Sequence, residues 1–443
     1  MNLPETQASL LITGRYVYLQ DSDKTIIENG GVAVQGDTII ETGPAETLRE
    51  KYPGANLIFE KHGLVMPGLV NTHTHAAMAC FRGLADDLPL MQWPQEYIFP
   101  VEAKLNSKMV YQSTVLSIAE MIKSGTTSFC DMYLFAKDVA RAAADTGMRA
   151  WIGEVLHDFP SPSYGKLESG FTYVDELFSM YADHPLLNIT VDPHAVYTCS
   201  PDLLKKLKNI AEKHDALYAI HLSETDDEVK SSLEKFGATP VVHLENLGLL
   251  DSRIIASHCV VLDEQEIDLL ARRGVKVAHC PESNMKLASG VAPVPEMLGA
   301  GIAVGLGTDG SASNNNVDMF GEMNSAAKLH KAHRLDPTMM TAAETLEMAT
   351  IDGARVLDAD NEIGSLVPGK KADLIVLDLN QPHLTPLYNI PSHLVYAARG
   401  ADVVHSVING KVVMQDRELK TIDEKTILAN MEVMGDKITK MRG

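Results

Sequence analysis

Residues 67–75 read PGLVNTHTH, an apolar run that ends in two histidines separated by one threonine. In an extended strand His73 and His75 share a face about 7 Å apart at the backbone, close enough to chelate one ion. Seven further apolar runs follow, at 126–131 (TTSFCD), 148–157 (MRAWIGEVLH), 187–194 (LNITVDPH), 216–222 (ALYAIHL), 253–258 (RIIASH), 275–280 (VKVAHC) and 302–309 (IAVGLGTD). Most are followed by an amphipathic stretch such as SPDLLKKLKNIAEKH at 200–214 or EQEIDLLARRG at 264–274. That alternation predicts βαβ units, and eight of them close a (β/α)₈, TIM-like barrel of the α/β class. Active sites of such barrels lie at the C-terminal ends of the strands. The polar residues fall there: His73 and His75, His194, His221, His258, His279 and Asp309. One histidine closing a strand is ordinarily structural, but a series on successive strand ends needs too many coincidences.

Outward from the barrel, LLITGRYVYL (10–19) and GVAVQGDTIIETG (31–43) read as short strands with Gly and Asn-Gly turn signals, without helices. KADLIVLDL (371–379) and ADVVHSVINGKVVMQD (401–416) repeat the pattern, the latter as a hairpin turning at Asn409-Gly410, so the two ends are expected to share one sheet.

Fifty-nine acidic against 38 basic residues give a formal charge of −21, which argues against nucleic acid as a partner. There is no long apolar run and no signal-peptide pattern, so no membrane association and a cytoplasmic location are expected. Cys80, Cys130, Cys199, Cys259 and Cys280 are scattered singly and read as reduced core thiols.

Alone, His-x-His is a weak signal. Adding His221 and Asp309 completes three imidazoles and one carboxylate, a donor set that suits zinc, with iron or another first-row ion also compatible. A binuclear site of this kind needs a bridging carboxylate or modified lysine at the fourth strand end; VDPH has no lysine, so one divalent ion per subunit is expected. Zinc lowers the pKa of its water from 15.7 towards about 7, and a protein group must then move protons. Glu224, three residues after His221 in HLSE, is placed to do so as general acid/base. Its competing reading is a helix N-terminal acid, since SETDDE also looks like a cap followed by dipole-favoured carboxylates. His258 is expected to hydrogen-bond the attacking water, and Asp309 to ligate the metal and accept a proton.

At these residues the sequence resembles a known family. PGLVNTHTH, HLSET, SHCV, HCPESNMKLASG and GLGTDGSASNNN are similar to the amidohydrolase superfamily, and within it to the 5′-methylthioadenosine/S-adenosylhomocysteine deaminases, a group that includes triazine chlorohydrolase-like proteins. GSLVPGKKADLIVLDL resembles that family's return from the barrel into a composite β-sandwich built by both ends. The resemblance implies boundaries at 1–65 and 366–443 for the two parts of the sandwich, the latter with a terminal helix, and 66–365 for the catalytic barrel. It implies the ligands His73, His75, His221 and Asp309, with Glu224 as proton shuttle and His258 near the nucleophile. It further implies contacts from Glu102 to ribose hydroxyls and from His194 to the nucleoside. The reaction that the resemblance implies is hydrolytic attack at C6 of adenine, with Glu224 protonating N1 and assisting departure of ammonia. A homodimer or homotetramer is implied as well.

The stretch from Ala76 to about Lys104 shows no regular pattern and reads as a binding loop or lid carrying Phe81, Leu88, Met91, Trp93 and Phe99. Such a lid suits a flat purine and an alkylthio group, with Trp93 a substrate contact. A homocysteine carboxylate calls for a guanidinium, yet there is no arginine between Ala150 and Ser252. Methylthioadenosine is therefore expected to be preferred over S-adenosylhomocysteine, unless Arg82 or Lys166 holds the carboxylate. Another amidohydrolase activity, triazine dechlorination or guanine-type deamination, is the nearest alternative; a catalytically silent scaffold is the distant one.

Overall fold

The eight apolar runs are buried strands in a computed structural model that describes residues 7–84, 86–87 and 99–442. In chain order they are Leu69–Thr74, Thr126–Tyr133, Arg149–Leu156, a fourth split into Leu187–Ile189 and Asp192–Pro193, then Tyr218–Leu222, Ile254–His258, Lys276–His279 and Val304–Leu306. Nearly every residue in them is buried, as expected of parallel strands covered on both faces. They form two parallel sheets, the first to fourth runs in one and the fifth to eighth in the other. Bridges Val191–Tyr218 and Ala195–His221 join the sheets along one edge. Along the other, Asp309 N–H donates to His73 O (3.0 Å) and Thr72 Oγ1 to Leu306 O (2.9 Å).

Helices return the chain between strands, each started by local chemistry. Ser200 caps Pro201–Lys213, Thr225 caps Asp226–Phe236, and Asp263 with Glu266 forms a capping box on Glu264–Arg273. Gly237 and Gly274 end the last two in the left-handed conformation that glycine adopts freely.

Strands from both chain ends are hydrogen-bonded into one nine-stranded sheet. Its centre is Asn56–Pro67, parallel to Leu10–Tyr18 on one side and antiparallel to Leu374–Asp378 on the other. The sheet folds back on itself. The Asn409-Gly410 turn, both residues at positive φ, abuts Gly36 from the far end of the strand order, where a Cβ on Gly410 would stand 1.9 Å from Gly36 O. Leu10, Ile12, Val32, Val34, Leu374 and Val407 share a core inside it. Helix Glu424–Arg442 packs against helix Ser107–Lys123, with Lys123 paired to Glu424 at 2.6 Å.

Two expectations need correction. The N-terminal part contains a helix, Ala45–Lys51, which covers Leu11 and Ala33 with Leu48. The supposed irregular loop after His75 begins with a 3₁₀ helix, Ala76–Phe81, and ends in a helical turn, Phe99–Glu102. Phe81 is 1% exposed and belongs to the main core, not to a lid surface. Trp93, Leu88 and Met91 lie outside the described residues. All five cysteines are free, four of them buried. Among the described residues no helix is long and apolar enough to cross a membrane.

Candidate metal centre

His73 and His75 leave the first strand end on one face, His221 the fifth, and Asp309 follows the eighth, so four side chains from distant segments meet. Each imidazole is oriented through its Nδ1. His221 Nδ1–H donates to His194 O (2.8 Å), His75 Nδ1–H to Met132 O, and His73 Nδ1 pairs with Ser257 Oγ (3.0 Å). Because a carbonyl can only accept, the Nε2 atoms of His75 and His221 are left to point inward, 3.3 Å apart. Asp309 is held in the same manner: Oδ2 accepts from Ser283 Oγ (2.6 Å) and Ser313 Oγ (2.7 Å), while Oδ1 lies 3.2 Å from His75 Nε2 and 3.7 Å from His73 Nε2.

The set fits a divalent ion. His73 Nε2 is buried without a hydrogen-bond partner among the described residues. The donor atoms of His73, His75 and His221 lie within 4.8 Å of one another, as do those of His73, His258 and Asp309. Burial drives the His73 and His221 imidazoles well below their ordinary range, which favours neutral rings with free lone pairs. Burial acts on His75 likewise, but the Asp309 carboxylate overrides it and raises His75 to about 9, so an ion taken up there displaces a proton.

Glu224 stands beside this group without joining it. Thr225 is the cap of the next helix and Asp226, Asp227 and Glu228 fill its first turn, so the cap reading of SETDDE describes those residues and leaves Glu224 outside the helix. Burial raises its carboxyl, opposed by the neighbouring His258. His258 follows from a left-handed backbone, φ +73°, that turns its ring over the site. Its Nδ1–H donates to Asn284 Oδ1 (3.0 Å), and its ring lies 5.4 Å from His73 and 5.5 Å from His221.

The other expected residues are placed as follows. His194 lies with its ring 5.0 Å from His221, its Nδ1 paired with Thr198 Oγ1 (2.9 Å), and burial pushes it down to about 3. Glu102 is 9% exposed and accepts from Tyr133 Oη (2.5 Å), whose ring lies 5.9 Å from His75. His279 is turned away, its Nε2 3.4 Å from His330 Nε2 on helix Met319–Arg334. Sequence reasoning missed Ser257, Ser283, Asn284 and the carbonyls of Met132 and His194. Ser313, which also holds Asp309, lies in the quoted GLGTDGSASNNN stretch but had no role assigned to it there.

The amidohydrolase family model matches residues 64–413, and an imidazolonepropionase-like composite domain of bacteria matches residues 30–55. The chain is 53% identical over 423 residues to a 5-methylthioadenosine/S-adenosylhomocysteine deaminase of Syntrophobacter fumaroxidans, covering 96% of this chain and 97% of that one. It is 43% identical over 436 residues to a 5′-deoxyadenosine deaminase of Methanothermobacter thermautotrophicus, covering 97% and 99%. A zinc-bound adenosine deaminase structure from Xanthomonas campestris superposes with a TM-score of 0.96 at 39% identity, covering 99% and 100%. Zinc-complexed atrazine chlorohydrolase from Arthrobacter aurescens shares the fold, with a TM-score of 0.89 at 23% identity over 96% of this chain and 100% of that one. On these similarities the chain belongs to the amidohydrolase family, in the branch of the 5-methylthioadenosine/S-adenosylhomocysteine deaminases.

Proposed function

We propose that this protein hydrolytically deaminates an adenosine derivative at C6, converting 5′-methylthioadenosine and water to 5′-methylthioinosine and ammonia, with S-adenosylhomocysteine and adenosine as weaker substrates. The observation that carries this reading is the position of Glu224: a carboxyl raised by burial, beside three converging imidazoles and Asp309, and not itself one of them. The names of relatives similar along nearly the whole chain support the substrate class.

One zinc ion would be held by His73, His75, His221 and Asp309. When bound, it supplies the Lewis acidity that makes water a nucleophile near neutral pH. Glu224 delivers a proton to ring N1 and then assists departure of the amine. His258, with Nδ1 committed to Asn284, presents Nε2 to the attacking water. Asp309, its outer oxygen saturated by two serines, keeps Oδ1 inward and accepts a proton there. Glu102 binds the ribose hydroxyls and His194 the nucleoside, with Trp93 as a further substrate contact.

The expected preference for methylthioadenosine gains support from the cations near the site. Arg82 donates to Glu120 Oε1 (3.1 Å) and Asn315 O (2.8 Å), so its guanidinium is committed within the protein. Lys166, the other candidate, is exposed at the cap of helix Leu167–Tyr181 with no ion pair among the described residues, so the support comes from Arg82 alone. We further infer that the eight strands close into a barrel over 66–365, with 1–65 and 366–443 forming the sandwich. Hydrogen bonds along both edges of the two parallel sheets support closure, and the folded-back terminal sheet supports the sandwich.

Ultraviolet monitoring of the zinc-loaded protein with methylthioadenosine, S-adenosylhomocysteine and adenosine, together with ammonia detection, tests the reading. Methylthioadenosine is expected to turn over fastest, and Glu224→Gln to lose about 100- to 10,000-fold in kcat with zinc retained. No turnover of any adenosine nucleoside would overturn it, and a higher kcat/KM for S-adenosylhomocysteine would overturn the preference.

A further inference from the structure

Among the described residues three helices carry a glutamate three residues after a capping oxygen, and they do not use it alike. Glu266 Oε2 accepts from the main-chain N–H of its own cap, Asp263, at 3.0 Å, and Glu344 Oε2 from Thr341 at 2.7 Å, the ordinary reciprocal box. In helix Asp226–Phe236 the cap oxygen of Thr225 accepts from Glu228 N–H (3.1 Å) in the usual way. The Glu228 carboxylate, however, reaches one residue further back and accepts from Glu224 N–H at 2.7 Å.

The surroundings differ too. Glu344 is exposed, and Glu266 uses its second oxygen to accept from Thr239 Oγ1 (2.5 Å). Glu228 is 6% exposed, and its Oε1 has no partner among the described residues. Burying a carboxylate with an idle oxygen is unfavourable, and capping alone does not call for it.

The Glu224 N–H belongs to the same peptide unit as Ser223 C=O, and that oxygen accepts from Val260 N–H (3.0 Å) and Val261 N–H (2.9 Å) just past the sixth strand. The Ser223–Glu224 peptide is thus clamped on both sides, immediately after a left-handed Ser223 at φ +51°. No described protein group donates a hydrogen bond to the Glu224 carboxyl, so its direction is set by the backbone it departs from.

We propose that Glu228 is a positioning residue for the reaction, locking the Ser223–Glu224 peptide so that Glu224 meets the reacting ring at the right distance. The inference rests on Glu224 being the proton carrier. It is tested in the full-length zinc-loaded protein by measuring kcat, KM, zinc content and Tm for Glu228→Gln, Glu228→Ala and Thr225→Ala with methylthioadenosine. Gln retains an acceptor and is expected to keep kcat within about threefold, whereas Ala is expected to lose about 10- to 100-fold in kcat, with KM and zinc content unchanged. Thr225→Ala weakens the same helix start without touching the Glu224 N–H, and should leave kcat within about threefold. Glu228→Met, similar in volume and with only a weak thioether acceptor in place of the carboxylate, replaces the Ala variant should that one not fold. Wild-type kcat in Glu228→Ala, or an equal loss in Thr225→Ala, overturns the positioning role while leaving the deaminase reading intact. An inactive wild type overturns both.

Discussion

The strand ends around His73 and the sheet built from the two chain ends are both deeply buried, but they treat polar groups in opposite ways. Where the terminal sheet meets the start of the third strand, Arg149–Leu156, the buried charge is satisfied: Arg149 Nε donates to Asp373 Oδ2 (2.6 Å) and Nη2 to Asn409 Oδ1 (3.1 Å), while Asp373 Oδ1 also accepts from Asn409 N–H (2.7 Å). At the strand ends His73 Nε2 is left bare, and the left-handed backbone that non-glycine residues disfavour, which in the terminal sheet falls at hairpin turns such as Asn409 and Asp416, falls here at Ser223, His258, Cys259 and Asp309 around the site. One region is arranged for stability and the other for chemistry at the expense of stability, so substitutions in the two should have opposite signatures.

The largest effect is expected from His73→Ala, which should abolish zinc retention and lower kcat/KM by at least about a thousandfold. Tm of the metal-free protein should stay level or rise, because a buried nitrogen lone pair without a partner is removed. Zinc analysis with calorimetry checks both, and a marked fall in metal-free Tm would break the comparison. The mirror case is Leu374→Ala in the terminal sheet, fully buried in its core. It should cost about 2–5 kcal/mol in denaturant unfolding and leave kcat/KM of the folded fraction unchanged.

A smaller effect sharpens the boundary between the two regions. Glu154, on the third strand, accepts from Ala136 N–H (2.7 Å) at a helix start, and burial raises its carboxyl to about 8. A carboxyl raised in the folded state takes up protons on folding between its ordinary 4.5 and about 8, so its contribution worsens as pH climbs through that window. Glu154→Gln keeps an oxygen for Ala136 N–H and should gain Tm over wild type at pH 9 but not at pH 4.5. An equal difference at both values would show that Glu154 is not ionising there.

What the sequence made legible follows from the same division. The eight strands announce themselves because strands covered on both faces must be almost wholly apolar, so His73, His221 and Asp309 stand out where those runs end. Helix Ala45–Lys51 was hidden because AETLREK is short and buries only Leu48. Phe81 looked like a lid residue because its 3₁₀ helix has no periodicity to betray it. The groups that orient the centre, Ser283 on Asp309 and Asn284 on His258, are ordinary polar residues whose partners lie 26 positions away, and no local pattern marks them. Glu228 was visible only as one of three first-turn acids, since its reach past the cap is a matter of side-chain geometry.

The pairing of Asn56–Pro67 with Leu374–Asp378 has a consequence for the newborn protein. A strand made early must wait about 300 residues for its neighbour, roughly 15 to 60 s at ordinary rates of synthesis. Until then its edge is open to any passing strand, and the long loop between the two must be gathered in before their pairing is rewarded. Strand Leu374–Asp378 therefore seals an edge made about 300 residues earlier, and a chain halted before Leu374 is left with that sheet edge exposed.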